Sequence, residues 1–259
     1  MFKTLMARAR QGHRTISYPA EQPLLPPLFR GRPVLEQGKC ADGCSACSDV
    51  CPSEAINLSP TGLRLDLGRC IFCGDCAAAC PENLIQFTAD WRLAASDRTE
   101  LLIAGRGTPH VEALGRELRR LLGRSLRLRQ ISAGGCNGCE AEVNALGNIV
   151  FDAGRFGIDF VASPRHADGV LITGPITENM REATLRTYEA VAEPKLVIAA
   201  GACAISGGLF RGHAETCDGI EGLIPVDLYI PGCPPHPVTI LDGLLRLLGR
   251  LQVLGVAAA

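Results

Sequence analysis

Beyond residue 125 the chain alternates short apolar runs with longer stretches whose apolar positions recur every three or four residues. Leu126–Ile131, Gly169–Gly174 (GVLITG), Lys195–Gly201 (KLVIAAG) and Val226–Ile230 are the runs, while Glu140–Ile149, Glu178–Val191 and Val238–Leu251 carry the helical period. Continuous apolar runs of that length mark strands buried on both faces, and their alternation with helices predicts a small, mainly parallel α/β sandwich over residues 126–259. Such sheets bind ligands at the loops beyond the carboxyl ends of their strands.

The first 125 residues show a thinner pattern. Ala55–Leu58 and the alternating Leu63, Leu65 and Leu67 read as two short strands around a turn at Ser59–Gly62. Ile56, Leu65, Ile71, Leu84 and Ile85 are the expected apolar lid of this small unit, placed at residues 31–90. Residues 1–30 read as an extended N-terminal arm. Its proline-rich character, with four prolines between Pro19 and Pro27 and another at Pro33, continues to residue 38. The spaced Tyr18, Leu24, Leu25, Leu28 and Phe29 suggest an arm laid on a partner. A linker at 91–125 is expected to hold a connecting helix over 99–125, with Leu114, Leu118, Leu121 and Leu122 on one face and arginines elsewhere.

Cysteines change this picture most. The chain has 13, ten of them in three tight groups that end before residue 140. Two of the groups repeat one motif, CADGCSACSDVCPSEAI from Cys40 and CIFCGDCAAACPENLI from Cys70. The second, Cys70-x2-Cys73-x2-Cys76-x3-Cys80-Pro81, is the spacing in which three close thiolates hold one [4Fe–4S] cube and the fourth reaches over to another. The crossed pattern gives one cube Cys40, Cys44, Cys47 and Cys80, and the other Cys70, Cys73, Cys76 and Cys51. Cys40 and Cys44 depart from the spacing, with three residues between them, Asp42 and Gly43 included; a glycine there can relax the loop. A pair of structural zinc sites and a three-iron cluster at the first position are the competing readings. In the second half, Cys136 and Cys139 follow the first strand, Cys203 the KLVIAAG strand and Cys233 the DLYI strand. The strand-end rule therefore collects these four into a third [4Fe–4S] site, and leaves Cys217 a free thiol.

Charge is nearly balanced at 26 basic against 27 acidic residues, so no global field recommends nucleic acid. The arginines of 92–129 come without an aromatic platform and read as ordinary or partner-facing surface. An odd cysteine count, a start with no apolar signal segment, and apolar stretches that are short or broken by Arg246 and Arg250 argue against a disulfide-stapled secreted chain and against a transmembrane segment. Neither a dinucleotide fingerprint nor a P-loop is present. His166, His213 and His236 read as structural or surface residues.

With those residues in view the chain resembles two known subunits in tandem. Residues 14–88, with ISYPAEQP, LFRGRPVL and CIFCGDC, look like the two-cluster ferredoxin-type subunit of respiratory complex I and its hydrogenase relatives. Residues 126–250, with GGCNGCEAE, GVLITGPITENM, GACAISGG and PGCPPHP, look like the small, 20 kDa-type subunit shared by complex I and the membrane-bound, group 4 [NiFe] hydrogenases, including those of formate hydrogenlyase. The resemblance implies an α+β ferredoxin-like two-cluster module followed by a flavodoxin-like α/β domain, and a non-catalytic electron-transfer subunit of an oxidoreductase with three [4Fe–4S] clusters. It implies as partners a hydrogenase-like or complex I-like large subunit and other subunits of a membrane-anchored complex, which would hold the chain at the cytoplasmic, inner face of the membrane. By resemblance the cube nearest the large subunit takes Cys136, Cys139, Cys203 and Cys233, and Glu142 matches an acid near that interface where proton transfer has been proposed; a solvated acid at a helix start is the alternative. Complex I small subunits carry two adjacent cysteines at the first position, whereas Cys136-Asn-Gly-Cys139 has the hydrogenase-like spacing. A complex I-like quinone oxidoreductase, or a scaffold in which clusters merely hold the fold, are the other readings.

Overall fold

The structure, a computed structural model, describes residues 2–36, 40, 43–59, 62–122 and 125–251. Asp42, the Pro60–Thr61 tip of the expected turn, Arg124 and residues 252–259 lie outside the described residues.

The chain opens with helix α1 (Phe2–Gln11), where an extended arm was expected. Phe2, Leu5, Met6 and Ala9 have helical spacing among Lys and Arg, which are good helix formers, and the prolines that favour extension begin only at Pro19. None of its residues is buried. The arm proper lies on its own chain. Tyr18 is buried, its hydroxyl donates to Asp242 Oδ1 at 2.7 Å, and Arg155 Nη2 donates to the Tyr18 carbonyl at 2.9 Å. Leu24 and Leu28 remain exposed.

The first unit is built from very short pieces: β1 (Pro33–Leu35), α2 (Ala46–Asp49), β2 (Ile56–Ser59), β3 (Gly62–Asp66), α3 (Asp75–Ala79) and β4 (Ile85–Phe87). β1 pairs antiparallel with β4, and β2 with β3, the latter as the alternating leucines require. The connecting segment is less helical than expected. A 3-10 turn at Arg98–Leu101 leads into β5 (Leu102–Ile103), which joins β3 as a third strand, and among the described residues of the segment only α4 (Arg116–Leu122) is α-helical. Gly105, Gly107, Pro109 and Gly115 interrupt the period that the leucines suggested. Leu122 is buried, but Leu121 faces solvent.

The second unit contains β6 (Leu126–Ser132), α5 (Gly138–Ala145), β7 (Ile158–Phe160), β8 (Gly169–Thr173), α6 (Glu178–Glu189), β9 (Leu196–Ala200), α7 (Ala202–Ser206), β10 (Leu228–Ile230) and α8 (Pro237–Leu247). Its five strands are parallel in the order β10-β9-β8-β6-β7. Counted within the unit this is the 2-1-3-4-5 order of flavodoxin-like sheets, with the chain reversing direction across the sheet between β6 and β8. Every residue of β8 and β9 is buried. Successive residues serve opposite faces: Leu171 and Ile198 pack with Val143, Leu241 and Leu244, while Val170, Ile172, Val197 and Ala199 pack on the other side.

That other side explains why the two units are one body. Its core continues without a break from Ile131, Ile172 and Ala199 through Ile205 and Tyr229 into Leu65, Leu67, Cys70 and Phe72 of the first unit. Leu65, Leu67, Ile172 and Ile205 are each about fully buried, and such a side chain contributes about 1.5–3 kcal/mol. Ala95 exchanges both backbone hydrogen bonds with Tyr229 at 3.0 and 2.9 Å, so the connecting segment also covers the outer edge of β10.

Candidate functional site

In the first unit the repeated motif builds two similar turns. After Cys51-Pro and Cys80-Pro, Glu54 and Asn83 both take positive φ, at 51° and 50°. That unusual geometry swings the next amide back onto sulfur: Ala55 N–H donates to Cys51 Sγ at 3.2 Å, and Leu84 N–H to Cys80 Sγ at 3.3 Å. Phe72 also has positive φ, at 57°, and its own amide donates to Cys70 Sγ at 3.3 Å. Cys51, Cys70, Cys73 and Cys76 line one small pocket, closed by Ala55, Ile56, Leu65, Ile71 and Phe87. These are the four thiols that the crossed reading assigns to one cube, and most of its expected apolar lid. Burial pushes the Cys70 thiol up to about 12, the Phe72 amide partly opposing it and the charges of Cys76, Cys51 and Cys73 adding to it. Cys76 is pushed up to about 11, by burial and then by Cys73 and Cys51. Four thiolates so crowded and dry repel one another, and a cationic group among them removes that penalty.

The companion set is Cys40, Cys44, Cys47 and Cys80. Cys47 is buried on α2, and burial raises its thiol, with Cys80 and Cys40 adding to the rise. Gly43, in the widened gap before Cys44, has φ +74°, a conformation few other residues adopt.

In the second unit Cys136 and Cys139 lie between β6 and the first turn of α5, Cys203 is on α7 directly after β9, and Cys233 follows β10, all at the carboxyl edge of the sheet. The Cys139 thiol is driven far above the ordinary range by burial, then by the charges of Cys203, Glu140, Cys233 and Cys136. Cys203 rises to about 11 from burial and then from Cys233 and Cys136. Close backbone approach shapes the cradle. A Cβ on Gly201 would stand 2.5 Å from Cys139 Sγ, and one on Gly208 2.9 Å from Cys203 Sγ. Cys136 and Cys233 are exposed at the mouth. Cys217 stands apart, its thiol donating to Glu178 Oε1 at 3.3 Å.

Two acids flank Cys139 on α5. Glu142 is half-buried, and burial raises its carboxyl. Glu140, which sequence reading placed only as a helix residue, is 6% exposed. Burial alone would raise its carboxyl; hydrogen bonds from Ser132, Thr173 and its own backbone amide outweigh that and hold it below the usual carboxylate range. The clue in the sequence was an acid abutting a candidate ligand, with hydroxyls at the ends of two strands.

One buried contact joins the cysteine sets, and an ion pair braces the Cys70 loop from behind. Arg98 donates to both carboxylate oxygens of Asp66, at 2.8 and 2.6 Å, behind the Cys70 loop. Ser206 Oγ, on the helix that carries Cys203, donates to the Gly68 carbonyl at 2.9 Å. Among the described residues no three His, Cys, Asp or Glu side chains are grouped tightly enough to hold a single metal ion.

Residues 136–247 match the family described as NADH ubiquinone oxidoreductase, 20 Kd subunit, and residues 39–84 match the 4Fe-4S dicluster domain. A probable membrane-bound hydrogenase subunit (mbhJ) of Pyrococcus furiosus is 42% identical over 135 residues, which cover 52% of this chain and 81% of that protein. The chain belongs to the 20 Kd subunit family. Within that family it is also similar to formate hydrogenlyase subunit 7 of Escherichia coli, 43% identical over 142 residues, 55% of this chain and 56% of the relative. A subunit of the NADH-quinone oxidoreductase of Carboxydothermus hydrogenoformans is 48% identical over 115 residues, 44% of this chain and 69% of the relative. The chain thus spans little more than half of the formate hydrogenlyase relative. In this member a 4Fe-4S dicluster domain precedes the five-stranded parallel 20 Kd-subunit domain. No described helix is long and apolar enough to cross a membrane.

Proposed function

We propose that this chain is the electron-transfer small subunit of a group 4 membrane-associated [NiFe] hydrogenase complex, relaying electrons between the large-subunit active site and redox partners through three [4Fe–4S] clusters. The observation that carries the reading is the position of Cys136, Cys139, Cys203 and Cys233 beyond the carboxyl ends of β6, β9 and β10, at one edge of a sheet that shares its core with the dicluster domain. When bound, the clusters supply one-electron redox chemistry. The residues of the chain hold sulfur, exclude water and fix spacing. Leu65, Ile56 and Phe87 keep solvent from the Cys51/Cys70/Cys73/Cys76 site. The amides of Ala55, Phe72 and Leu84 aim at sulfur, and donors of that kind favour the more negative, reduced state. Ser206 ties the Cys203 helix to the Gly68 carbonyl, just ahead of the Cys70 loop. The Cys51/Cys70/Cys73/Cys76 site is therefore next in line to the C-terminal one, and the Cys40/Cys44/Cys47/Cys80 site is the far terminus. Cys136 and Cys233, exposed at the mouth, mark the side for the large subunit, and Glu142 is a candidate for proton passage there. The chain would sit at the cytoplasmic face of the membrane, held by partner subunits.

The spacing Cys136-Asn-Gly-Cys139 and the hydrogenase-named relatives support the hydrogenase branch. The quinone-oxidoreductase relative, at 48% identity, favours the second reading, the equivalent subunit of a complex I-like enzyme. Anaerobic purification with the co-purifying large subunit decides both questions. About twelve irons and as many acid-labile sulfides per chain are expected, together with a large subunit that carries two pairs of cysteines. About eight irons would remove the third cluster, and a large subunit without those cysteines would transfer the chain to the quinone branch.

A further inference from the structure

The buried carboxylate beside the C-terminal cysteines is unlike the other acids of the chain. Glu140 follows Cys139 directly, yet it turns away from solvent into the crevice between β6 and β8, where the strand order reverses. Its Oε1 accepts from Ser132 Oγ, at the end of β6, and from Thr173 Oγ1, at the end of β8, both at 2.7 Å. The same oxygen would stand 3.6 Å from a Cβ on Gly135, next to Cys136, so the carboxylate lies against the loop that presents the first two thiols. Both side-chain donors are neutral hydroxyls, and no ion pair among the described residues involves Glu140. Its negative charge is therefore held in place but not cancelled, in a region of low dielectric where it acts strongly on neighbouring charge. Among the described residues no acid lines the pocket of Cys51, Cys70, Cys73 and Cys76, whose lining is cysteine, Ser53, Gly74 and apolar side chains.

We propose that Glu140 is a positioning residue for electron transfer: a fixed carboxylate, clamped between the ends of β6 and β8, that holds down the reduction potential of the group bound by Cys136, Cys139, Cys203 and Cys233. Reducing that group adds one negative charge beside one already present, so the carboxylate disfavours the reduced form. The proposal rests on the three-cluster reading above, and its test separates the two.

The experiment is an EPR-monitored redox titration of the intact purified complex carrying Glu140→Gln. Glutamine keeps the shape and an oxygen that accepts from Ser132 and Thr173 while removing the charge. The reduced-to-oxidised ratio of the C-terminal signal at a fixed potential is expected to rise about tenfold, which is about 59 mV for a one-electron couple. The two dicluster signals should stay within about twofold, and Glu140→Asp, which retains the charge, should shift the C-terminal signal far less than Gln does. If the Gln variant assembles no C-terminal cluster, Ser132→Ala supplies the test with opposite sign: losing one hydroxyl dipole leaves the charge less screened and moves the ratio down. A wild-type complex without a third signal would overturn the cluster reading itself. A third signal that ignores Glu140→Gln, that Asp and Gln shift alike, or that Ser132→Ala moves upward, would overturn the role given to Glu140. So would a potential that follows pH in the wild type and not in the Gln variant, because Glu140 would then take up a proton instead of standing as a fixed charge.

Discussion

The two halves of this chain bring thiols together in opposite ways. In the dicluster domain each motif spans 12 residues or fewer, the strands run three to five residues, and Cys47, Cys70 and Cys76 are themselves members of the hydrophobic core. In the 20 Kd-subunit domain the thiols sit on loops and helix starts spread from Cys136 to Cys233, at the rim of a sheet whose strands and helices bury a core without them. One half is thus organised around its sites, and the other presents a site at the edge of a core to which none of its four thiols belongs. Below about 60 residues a core alone is marginal, and metal binding then becomes a part of folding.

The sharpest way to break the comparison is to remove iron. Anaerobic chelation is expected to abolish amide-exchange protection in α2, β2, β3 and α3, while β8, β9 and α8 stay protected. Hydrogen exchange read by mass spectrometry checks this. Equal loss in both halves would mean that the sheet also depends on its cluster, and equal retention would mean that the small unit folds on leucines alone.

A narrower test acts on the rim. Gly201 has φ +92° and leaves 2.5 Å between a would-be Cβ and Cys139 Sγ, whereas Gly222, at φ +83°, has nothing within 4 Å. Gly201→Ala and Gly222→Ala share the backbone strain of about 1–3 kcal/mol, but only the first also intrudes on a thiol. The C-terminal EPR signal should be lost or strongly reduced in Gly201→Ala and kept in Gly222→Ala, with both dicluster signals intact in each. Equal signals in the two variants would deny the close approach a role in holding the site.

The same contrast explains what could be read from the residues. Local motifs disclosed the dicluster domain, because thiol spacing within a turn is itself geometry. The sheet of the second domain was legible from fully apolar runs, since β8 and β9 are buried on both faces. β7 went unread because Ile158–Phe160 is only three residues long, and β1 and β4 because a strand of that length carries no period. The helix expected over 99–125 shrank to α4, because Gly105, Gly107 and Pro109 break the segment ahead of the leucines and Gly115 separates Leu114 from Leu118. The arm was expected on a partner, but Tyr18 finds Asp242, 224 residues away, a pairing invisible to local reading. Glu140 escaped for the same reason, its partners lying 8 and 33 residues distant on two strand ends.

The smallest expected effect lies at the seam between the arm and the rim. His236 caps α8, its Nδ1 accepting from the Val238 amide at 3.2 Å, and its ring meets Phe29 of the arm and Phe151 edge-on, at 5.5 and 5.8 Å between centroids. Burial lowers its pKa below the ordinary value. In the unfolded chain the imidazole protonates as pH falls past about 6.5, while in the folded chain it resists until lower pH. The unfolded state therefore binds more protons in that interval. Stability contributed by neutral His236 is complete above about pH 6.5 and is lost as pH falls through the lower, folded value. Protonation also removes the lone pair that caps Val238. Between pH 7.5 and 6, thermal unfolding of the complex should shift down by an amount worth under about 1 kcal/mol, and His236→Asn, which can accept the same amide hydrogen bond without titrating, should flatten that slope. A slope unchanged by the substitution would assign the pH dependence elsewhere, and would leave the rim of the second domain as insensitive to protons as its sheet.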